Sequence, residues 1–241
     1  MTAPKKIGAF FDLDGTLLAP PSLEWRFIRY LVARNLIGAA DGARWLGELA
    51  KWILVPGDLR GAIFGNKQYL AGLPETIVDE WEGTISPESL SLFEEGIDRV
   101  HWHLERRYRV VLVTGTLAPL ARAVARHLPC QVEVRATELE TSDGRFTGRL
   151  CGAHMSANEK ARAVREEAAA SGIDLSESFA YGNAASDREM LEAVGRAAAV
   201  NPSWRLRRLA LKRGWATHCW NLQLEVKAGV RANGLAIRAA R

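Results

Sequence analysis

Two aspartates two positions apart, Asp12 and Asp14, follow the first apolar run of the chain, residues 7–11. The run is long enough for a buried strand, and Asp, Gly and Thr disfavour strand interiors, so the chain is expected to leave the sheet here. Two carboxylates at the end of a buried strand are costly to remove from water unless a cation lies between them. Magnesium is the simplest partner, because this hard cation binds one or two carboxylates, waters and often a substrate phosphate. The spacing therefore indicates a magnesium site.

A hydroxyl group and an amine at two later positions could bind a phosphate group. An apolar run ends in Thr114-Gly115-Thr116 just before a predicted helix, so the Thr114 hydroxyl and backbone N–H groups can donate to a phosphate oxygen. Lys160 opens another predicted helix, where its charge can offset the repulsion between a phosphate and two aspartates. A capping threonine and a solvated helix lysine are the alternatives.

Asn183 and Asp187 follow a further apolar run that ends at Gly182. Their i, i+4 spacing places both near one helical face and close to the strand end. Carboxylate and amide oxygens can both coordinate a divalent cation, although the amide carries no formal charge. The pair is therefore expected to lie at the carboxyl end of this strand.

The segment Asp12-Leu13-Asp14-Gly15-Thr16 resembles the first motif of the haloacid-dehalogenase-like hydrolases. The resemblance implies that Asp12 is a nucleophile that forms an aspartyl-phosphate. It also implies that Asp14 protonates the leaving group and then deprotonates the attacking water. Dehalogenases of this superfamily generally lack the second acid, so Asp14 favours phosphoryl transfer.

The later positions extend the resemblance to the second and third motifs. Thr114 matches the hydroxyl of the second motif, with Gly115 and Thr116 beside it as implied substrate-binding residues. Lys160 matches the third-motif lysine. The resemblance therefore implies that these residues hold the oxygens of the phosphoryl group.

The fourth motif of the superfamily is matched by Asn183 and Asp187. Both positions are usually acidic and hold magnesium, so Asn183 is a departure that puts the metal affinity in question. The resemblance implies four metal ligands: Asp12, Asp14 through its backbone carbonyl, Asn183 and Asp187.

Residues 201–215 look like the end of family I-B of the superfamily, which includes phosphoserine-phosphatase-like proteins.

Alternating helices and strands are predicted to position these residues. A doubly wound parallel sheet of the α/β class follows from this alternation, and ligands of such sheets lie beyond the carboxyl ends of the strands. A hairpin or tight loop is expected between Leu139 and Phe146. The predicted strands are 7–11, 109–113, 131–136, 178–182 and 197–200.

The segment 22–85 is predicted to be a helical cap domain inserted after the first strand, where phosphoserine-phosphatase-like proteins carry their cap. A cap excludes water and recognises the part of the substrate beyond the phosphate. Residues 1–21 and 86–220 then form the core, and residues 221–241 form a basic carboxyl-terminal segment. Helical patterns cover 22–55, 59–70, 73–81 and 87–103, with a break at Pro56-Gly57.

Two kinds of cap residue could contact the substrate. Glu24 is close to the first motif, and acidic residues near this place bind the substrate amine in phosphoserine phosphatases; an exposed glutamate at a helix N-terminus is the alternative. Four tryptophans could line a pocket for an apolar substrate, but at helical spacing they also suit a core. They are Trp25, Trp45, Trp52 and Trp81.

The composition is typical of a soluble globular protein. The 241 residues are 48% apolar and 25% charged, which suffices for a sizeable core. Three cysteines without CxxC spacing predict neither a disulfide framework nor a zinc site. The sequence shows neither a signal peptide nor an apolar run near the ~20 residues of a membrane helix, so a cytoplasmic location is expected.

The basic residues concentrate at the carboxyl-terminal end. Residues 203–241 contain nine Lys or Arg and one acid, so they carry +8 while the whole chain carries +4. The last part could be an amphipathic segment for an anionic membrane, a nucleic-acid contact or a partly ordered tail.

Together these patterns predict a magnesium-dependent phosphatase for phosphomonoesters of a small metabolite. Two other functions stay open. A binding protein could use the same fold with a weakened site, and a phosphotransferase or mutase could pass the phosphate to a second acceptor instead of water.

Overall fold

The central feature of the fold is a six-stranded parallel sheet. The computed structural model describes residues 6–53, 64–128 and 132–222. Within these ranges the sheet has the strand order β3-β2-β1-β6-β7-β8, and β4 and β5 pair separately as an antiparallel hairpin. The strands are β1 (Gly8–Phe11), β2 (Arg109–Leu117), β3 (Glu133–Thr137), β4 (Leu139–Ser142), β5 (Arg145–Leu150), β6 (Phe179–Gly182), β7 (Arg196–Val200) and β8 (Ala216–His218).

Helices connect the strands and cover both faces of the sheet. Among the described residues, three short 3-10 helices lie at Gln68–Leu70, Leu175–Glu177 and Ala185–Asp187. The α-helices are α1 (Leu23–Ala33), α2 (Ala39–Ile53), α3 (Ile77–Glu82), α4 (Pro87–Leu90), α5 (Glu94–Glu105), α6 (Ala118–Arg126), α7 (Asn158–Ser171), α8 (Arg188–Glu192) and α9 (Trp204–Arg213).

The structure departs from the predicted elements at three places, the first being the strand predicted over 109–113, which continues to Leu117. The helix expected over 87–103 is two helices, because Ser91 adopts a left-handed conformation that ends α4. The strand β8 was missed, since three residues give too short a pattern to recognise. Of the helix expected over 59–70, residues 59–63 lie outside the described part of the chain, as does Pro56-Gly57.

The two sides of β1 and β2 face different layers of helices, as a doubly wound sheet requires. Phe11 and Leu112 pack in one apolar cluster with α1, α3, α5 and α6. Phe10 and Val111 point the other way and pack with α7, α8 and α9. Full burial of each such side chain stabilises the fold by about 2 kcal/mol. The predicted fold class is confirmed.

The strand order reverses beside β1, and this reversal creates the crevice where ligands bind in such folds. From β1 the chain builds outward to β2 and β3, then returns to β6 on the other side of β1. The Asp12 N–H donates to the Tyr181 carbonyl at 2.9 Å, so the segments after β1 and β6 start side by side. Chemistry-bearing residues of both segments therefore meet at this edge.

The β4–β5 hairpin is joined to residues 67–75 by backbone hydrogen bonds. The N–H groups of Lys67 and Gly72 donate to the carbonyls of Gly148 (3.2 Å) and Phe146 (2.8 Å). Gly148 has a φ of +81°, and a Cβ there would lie 2.9 Å from the Gln68 Cα, so only glycine fits. The hairpin therefore fixes the segment that carries Lys67.

The sequence also led to predictions about membrane helices, cysteines, the basic carboxyl-terminal segment and the location of the protein. In the described part of the chain, no helix is both long and apolar enough to cross a membrane. Cys151 and Cys219 are free and exposed. Residues 223–241 lie outside the described ranges, so the roles considered for the basic segment stay predictions, as does the cytoplasmic location.

Candidate active site

The loop that follows β1 carries Asp12 and Asp14 and turns sharply back on itself. The Gly15 N–H donates to the Leu18 carbonyl at 2.6 Å, which closes the turn. Gly15 has a φ of +83°, and a Cβ built on it would lie 1.9 Å from the Asn183 amide nitrogen. Glycine is thus required both by the backbone conformation and by the close approach of Asn183.

A cavity of about 200 Å³ lies at the carboxyl ends of β1, β2 and β6. Every residue that the sequence singled out for the site lines this one cavity, although the residues come from distant parts of the chain. Those residues are Asp12, Asp14, Glu24, Thr114, Gly115, Thr116, Lys160, Asn183 and Asp187.

Lys160, in the first turn of α7, joins two carboxylates in the wall of the cavity. Its Nζ lies 2.6 Å from Asp12 Oδ1 and 2.6 Å from Asp187 Oδ1, and all three side chains are buried. Burial, with the nearby Asp187 carboxylate, raises the pKa of Asp12 to about 7 despite the opposing effect of Lys160. Burial by itself would lower the pKa of Lys160, but Asp12 and Asp187 outweigh it and raise that pKa. Lys160 is therefore a fixed positive charge in the site.

Asp14 is held by two hydrogen bonds beside the cavity. Its Oδ1 accepts from the Leu23 N–H at 2.7 Å, and its Oδ2 accepts from the Thr116 hydroxyl at 2.5 Å. Burial raises the pKa of Asp14, and the two hydrogen bonds only partly offset this rise. A carboxyl group with a raised pKa suits a proton donor near neutral pH.

The segment after Val113 presents a hydroxyl group and backbone to the cavity. Thr114 Oγ1 accepts a hydrogen bond from the Thr116 N–H at 3.2 Å, which leaves its own proton free to donate. The Gly115 carbonyl accepts from the Thr137 hydroxyl at 2.8 Å. A Cβ on Gly115 would lie 3.0 Å from the His154 ring, so a side chain there would crowd the cavity.

Asp187 closes the turn that follows β6. Its Oδ2 accepts from the N–H groups of Asn183 (3.0 Å) and Ala184 (2.8 Å), while Oδ1 contacts Lys160. A Cβ on Gly182 would lie 2.6 Å from the Asp187 Cβ, so the strand end must be glycine for the carboxylate to fit. The i, i+4 pair thus reaches the cavity as predicted, but through a turn and a 3-10 helix.

The donor set at this place fits a magnesium ion. The described residues contain no group of three or more His, Cys, Asp or Glu side chains with metal-binding geometry. Mg²⁺ needs only one or two carboxylates, and it completes its octahedral shell with waters and substrate phosphate. Here the Asp12 and Asp187 carboxylates converge on one cationic atom, and the Asn183 amide lies against the loop that carries Asp12. These are hard oxygen donors of the kind that this ion prefers.

Glu24 lies in the first turn of α1 and lines the cavity, and one oxygen of its carboxylate already has two partners. Glu24 Oε1 lies 2.6 Å from Lys67 Nζ and accepts a hydrogen bond from the Tyr69 hydroxyl. Lys67 is buried, with a side chain only 4% exposed. The pair is therefore a partly buried ion pair, and Glu24 is not the solvent-exposed helix residue of the alternative interpretation.

Sequence reasoning missed His154 and Phe64, which also line the cavity. Their rings lie 5.2 Å apart, and His154 Nδ1 is buried without a hydrogen-bond partner in the described structure. Burial, with the nearby Lys67, lowers the pKa of His154 to about 4, so the ring is neutral at neutral pH. Neither residue belongs to a motif that could have revealed it. Their position in the wall of the cavity becomes apparent only in the folded structure, where the two rings are in contact.

Comparison with known proteins identifies the family. A profile of the haloacid dehalogenase-like hydrolases matches residues 9–192. The chain is 34% identical to phosphoserine phosphatase SerB1 of Mycobacterium tuberculosis over 221 residues, which cover 86% of this chain and 68% of the relative. A solved protein of unknown function from Bordetella pertussis Tohama I matches with 28% identity and a TM-score of 0.71, covering 89% of this chain and 98% of that one. A phosphoserine phosphatase solved in its apo form shares the fold, with 22% identity, a TM-score of 0.58 and coverage of 90% and 95%.

The matched range contains all the cavity residues that were predicted from motifs. It begins within β1, before Asp12, and ends after Asp187. The parallel sheet agrees with the fold shared with the solved neighbours. The chain therefore belongs to the haloacid dehalogenase-like hydrolases.

Proposed function

We propose that this hydrolase is a magnesium-dependent phosphatase that cleaves phosphomonoesters of small metabolites through an aspartyl-phosphate on Asp12. The proposal rests on the contact of the buried Lys160 side chain with both Asp12 and Asp187, in the cavity that Asp14 also lines. The relative named as a phosphoserine phosphatase supports the same class of reaction.

The first half of the reaction transfers the phosphoryl group to the protein. The Thr114 hydroxyl, the Gly115 backbone and Lys160 hold the phosphoryl oxygens. A carboxylate oxygen of Asp12 attacks phosphorus, the ester P–O bond breaks, and Asp14 gives its proton to the departing alkoxide. The raised pKa of Asp14 keeps this proton available.

The second half returns the phosphoryl group to water. Asp14, now ionised, takes a proton from a water molecule as that water attacks the phosphorus of the aspartyl-phosphate. The bond between phosphorus and Asp12 breaks, inorganic phosphate leaves and Asp14 is protonated again. Thr116 keeps the carboxyl group of Asp14 in place during both steps through its hydroxyl.

The ligands proposed for magnesium are the Asp12 and Asp187 carboxylates, the Asp14 backbone carbonyl and the Asn183 amide oxygen. When bound, the ion would neutralise part of the negative charge of the phosphate and the aspartates. Because Asn183 is neutral, this set carries one negative charge fewer than the usual motif of the family.

We propose the cap as residues 22–85, the core as residues 1–21 and 86–220, and a basic segment as residues 221–241.

Replacement of the nucleophile tests the proposed function. We expect Asp12→Asn to lower the turnover of an aryl phosphate by at least about a thousandfold, because the amide cannot form the phosphorylated intermediate. Phosphate release in Mg²⁺ measures the effect, and circular dichroism checks that the fold survives. Asp98→Asn, an exposed change on α5, is the matched control and should leave turnover as it is. Unchanged turnover in Asp12→Asn would refute the assignment.

A further inference from the structure

An apolar groove of about 750 Å³ lies beside the catalytic cavity. Among the described residues, α1 contributes Trp25, Ile28 and Val32 to its wall, and Ile37 and Trp45 face them. Trp25 and Val32 are 52% and 53% exposed, which leaves much apolar surface in contact with water. Clustered apolar exposure of this kind typically marks a place that binds something.

The groove and the catalytic cavity are continuous. Ser22, Glu24 and Phe64 line both of them, so a molecule whose phosphate lies near Asp12 can extend past Glu24 along α1. The phosphate end of a substrate is fixed by the catalytic residues. The groove therefore receives whatever the phosphate is esterified to.

The charge at the junction is already neutralised by the protein itself. Lys67 pairs with Glu24 at 2.6 Å, and the Tyr69 hydroxyl donates to the same carboxylate oxygen. A substrate ammonium group would have to share Glu24 with Lys67, whose side chain is buried and held by the hairpin-bound segment, and the two positive charges would repel each other. Because Lys67 neutralises Glu24, the described residues that line both spaces offer no net negative charge to an amino group.

We propose that the substrate is the phosphate ester of an apolar alcohol, an alkyl or aryl group that lies in this groove, and not a phosphorylated amino acid. This inference rests on the proposed phosphatase function and names its substrate class. Covering the walls of the groove removes apolar surface from water, and this favours binding of longer apolar groups. The tryptophans Trp25 and Trp45 supply flat surfaces for such a group.

A series of n-alkyl phosphates from ethyl to octyl tests the proposal. We expect kcat/KM to rise about fourfold per added methylene until the groove is filled, which corresponds to transfer of one CH₂ from water. O-phosphoserine should be no better a substrate than n-propyl phosphate, which has the same carbon count. A preference for O-phosphoserine of tenfold or more would overturn the proposal.

A pair of matched variants locates the effect in the groove. Val32→Asp places a charge in the wall and should flatten the dependence on chain length. Leu46→Asp puts the same charge at an exposed apolar residue of α2 that does not line the groove, and it should keep the dependence of the wild type. Equal slopes in the two variants would place the selectivity elsewhere and overturn the proposal.

Binding without turnover separates this inference from the proposed function. n-Alkylphosphonates lack the scissile P–O–C link, so calorimetry reports their affinity whether or not the protein is a phosphatase. An affinity that increases with chain length, in a protein that hydrolyses none of the esters, would refute the phosphatase and retain the apolar site. Hydrolysis of all the esters at equal kcat/KM, with equal phosphonate affinities, would refute the apolar site alone.

Discussion

At the residue scale, the site is governed by an imbalance between buried carboxylates and positive charge. Lys160 is the single cation in contact with both Asp12 and Asp187 in the described structure. Two buried carboxylates and one ammonium group leave a net negative charge in the site, and this net charge favours binding of a divalent cation. Asn183, where the family usually has an acid, lowers that excess by one charge. Its side chain is also packed against Gly15, so a substitution at this position changes both the charge of the site and the packing of the loop after β1.

Asn183→Asp tests the role of charge at the fourth motif. We expect the Mg²⁺ concentration for half-maximal activity to fall about tenfold, because an added carboxylate attracts the cation and coordinates it more strongly than an amide. A magnesium titration of phosphate release measures this. Asn35→Asp, the same change at an exposed position after α1, should leave the titration unaltered. If Asn183→Asp also leaves it unaltered, Asn183 is not a metal ligand.

Gly15→Ala tests the contact between the first and fourth motifs. The added Cβ meets the Asn183 side chain at 1.9 Å and must also adopt a φ of +83°. We expect the free energy of unfolding to fall by about 3 kcal/mol, of which about 1–2 kcal/mol is the left-handed backbone.

Gly144→Ala is the matched control for this clash. Gly144 has a similar φ of +71°, but nothing lies within 4 Å of a Cβ built on it. It should therefore lose only the backbone part, about 1–2 kcal/mol. Urea unfolding of both variants gives the difference, and equal losses would show that Asn183 moves aside without cost.

At the element scale, α5 and the sheet are joined by a buried aromatic cluster. His103 of α5 is completely buried, and its Nε2 lies 2.9 Å from the Tyr181 hydroxyl of β6. Tyr181 stacks on Phe11 with ring centroids 4.4 Å apart. His103 Nδ1 has no hydrogen-bond partner in the described structure, so protonation would leave a buried charge unpaired. The packing of α5 therefore depends on a neutral imidazole.

This burial predicts a loss of stability in mild acid. Burial, with Arg99 and Arg106 nearby, lowers the pKa of His103 from 6.5 to about 3. Between these values the unfolded chain binds a proton that the folded protein excludes, so stability falls as the pH drops from about 7 toward 3. We expect this group to contribute about 2 kcal/mol of destabilisation at pH 5.

Urea unfolding at pH 5 and pH 7 measures the effect. His103→Gln should lessen the difference between the two pH values, because glutamine does not titrate. His101→Gln, on the same helix but only partly buried, is the control and should keep the difference of the wild type. An identical pH dependence in both variants would assign the acid sensitivity to other groups.

At the scale of the whole molecule, the cavity and the groove are assembled by contacts between distant segments. The β4–β5 hairpin holds residues 67–75 through backbone hydrogen bonds, and this segment brings Lys67 and Tyr69 to Glu24. The same arrangement separates the polar cavity, where we propose that the phosphate binds, from the apolar groove that we propose for the remainder of the substrate. In the proposed function, the reaction and the choice of substrate therefore depend on different parts of one surface.

The structure shows which of the tryptophans lie in the core and which line the groove, a question that the sequence left open. Helical spacing allowed both a core and a pocket for all four. Trp81 is in the core, whereas Trp25 and Trp45 line the groove. The side chain of Trp52 lies outside the described part of the structure. Spacing on a helix defines which residues share a face, but not what that face meets.

The sequence by itself determined the parallel sheet and nine of the residues that line the cavity, but not His154 or Phe64. Apolar runs that end in Asp12, Thr114 and Asn183 are local signals, because strand ends of a parallel sheet meet at one edge wherever the helices lie. The break at Ser91 and the strand β8 escaped prediction because their patterns are short and depend on neighbours distant in sequence.

Only the tertiary structure decided which side chains pair with one another. Lys160 is 148 positions from Asp12, and Lys67 is 43 positions from Glu24. Such contacts arise from packing of whole elements, which no local pattern encodes. The neutralised Glu24 and the apolar groove beside it are therefore properties of the folded chain.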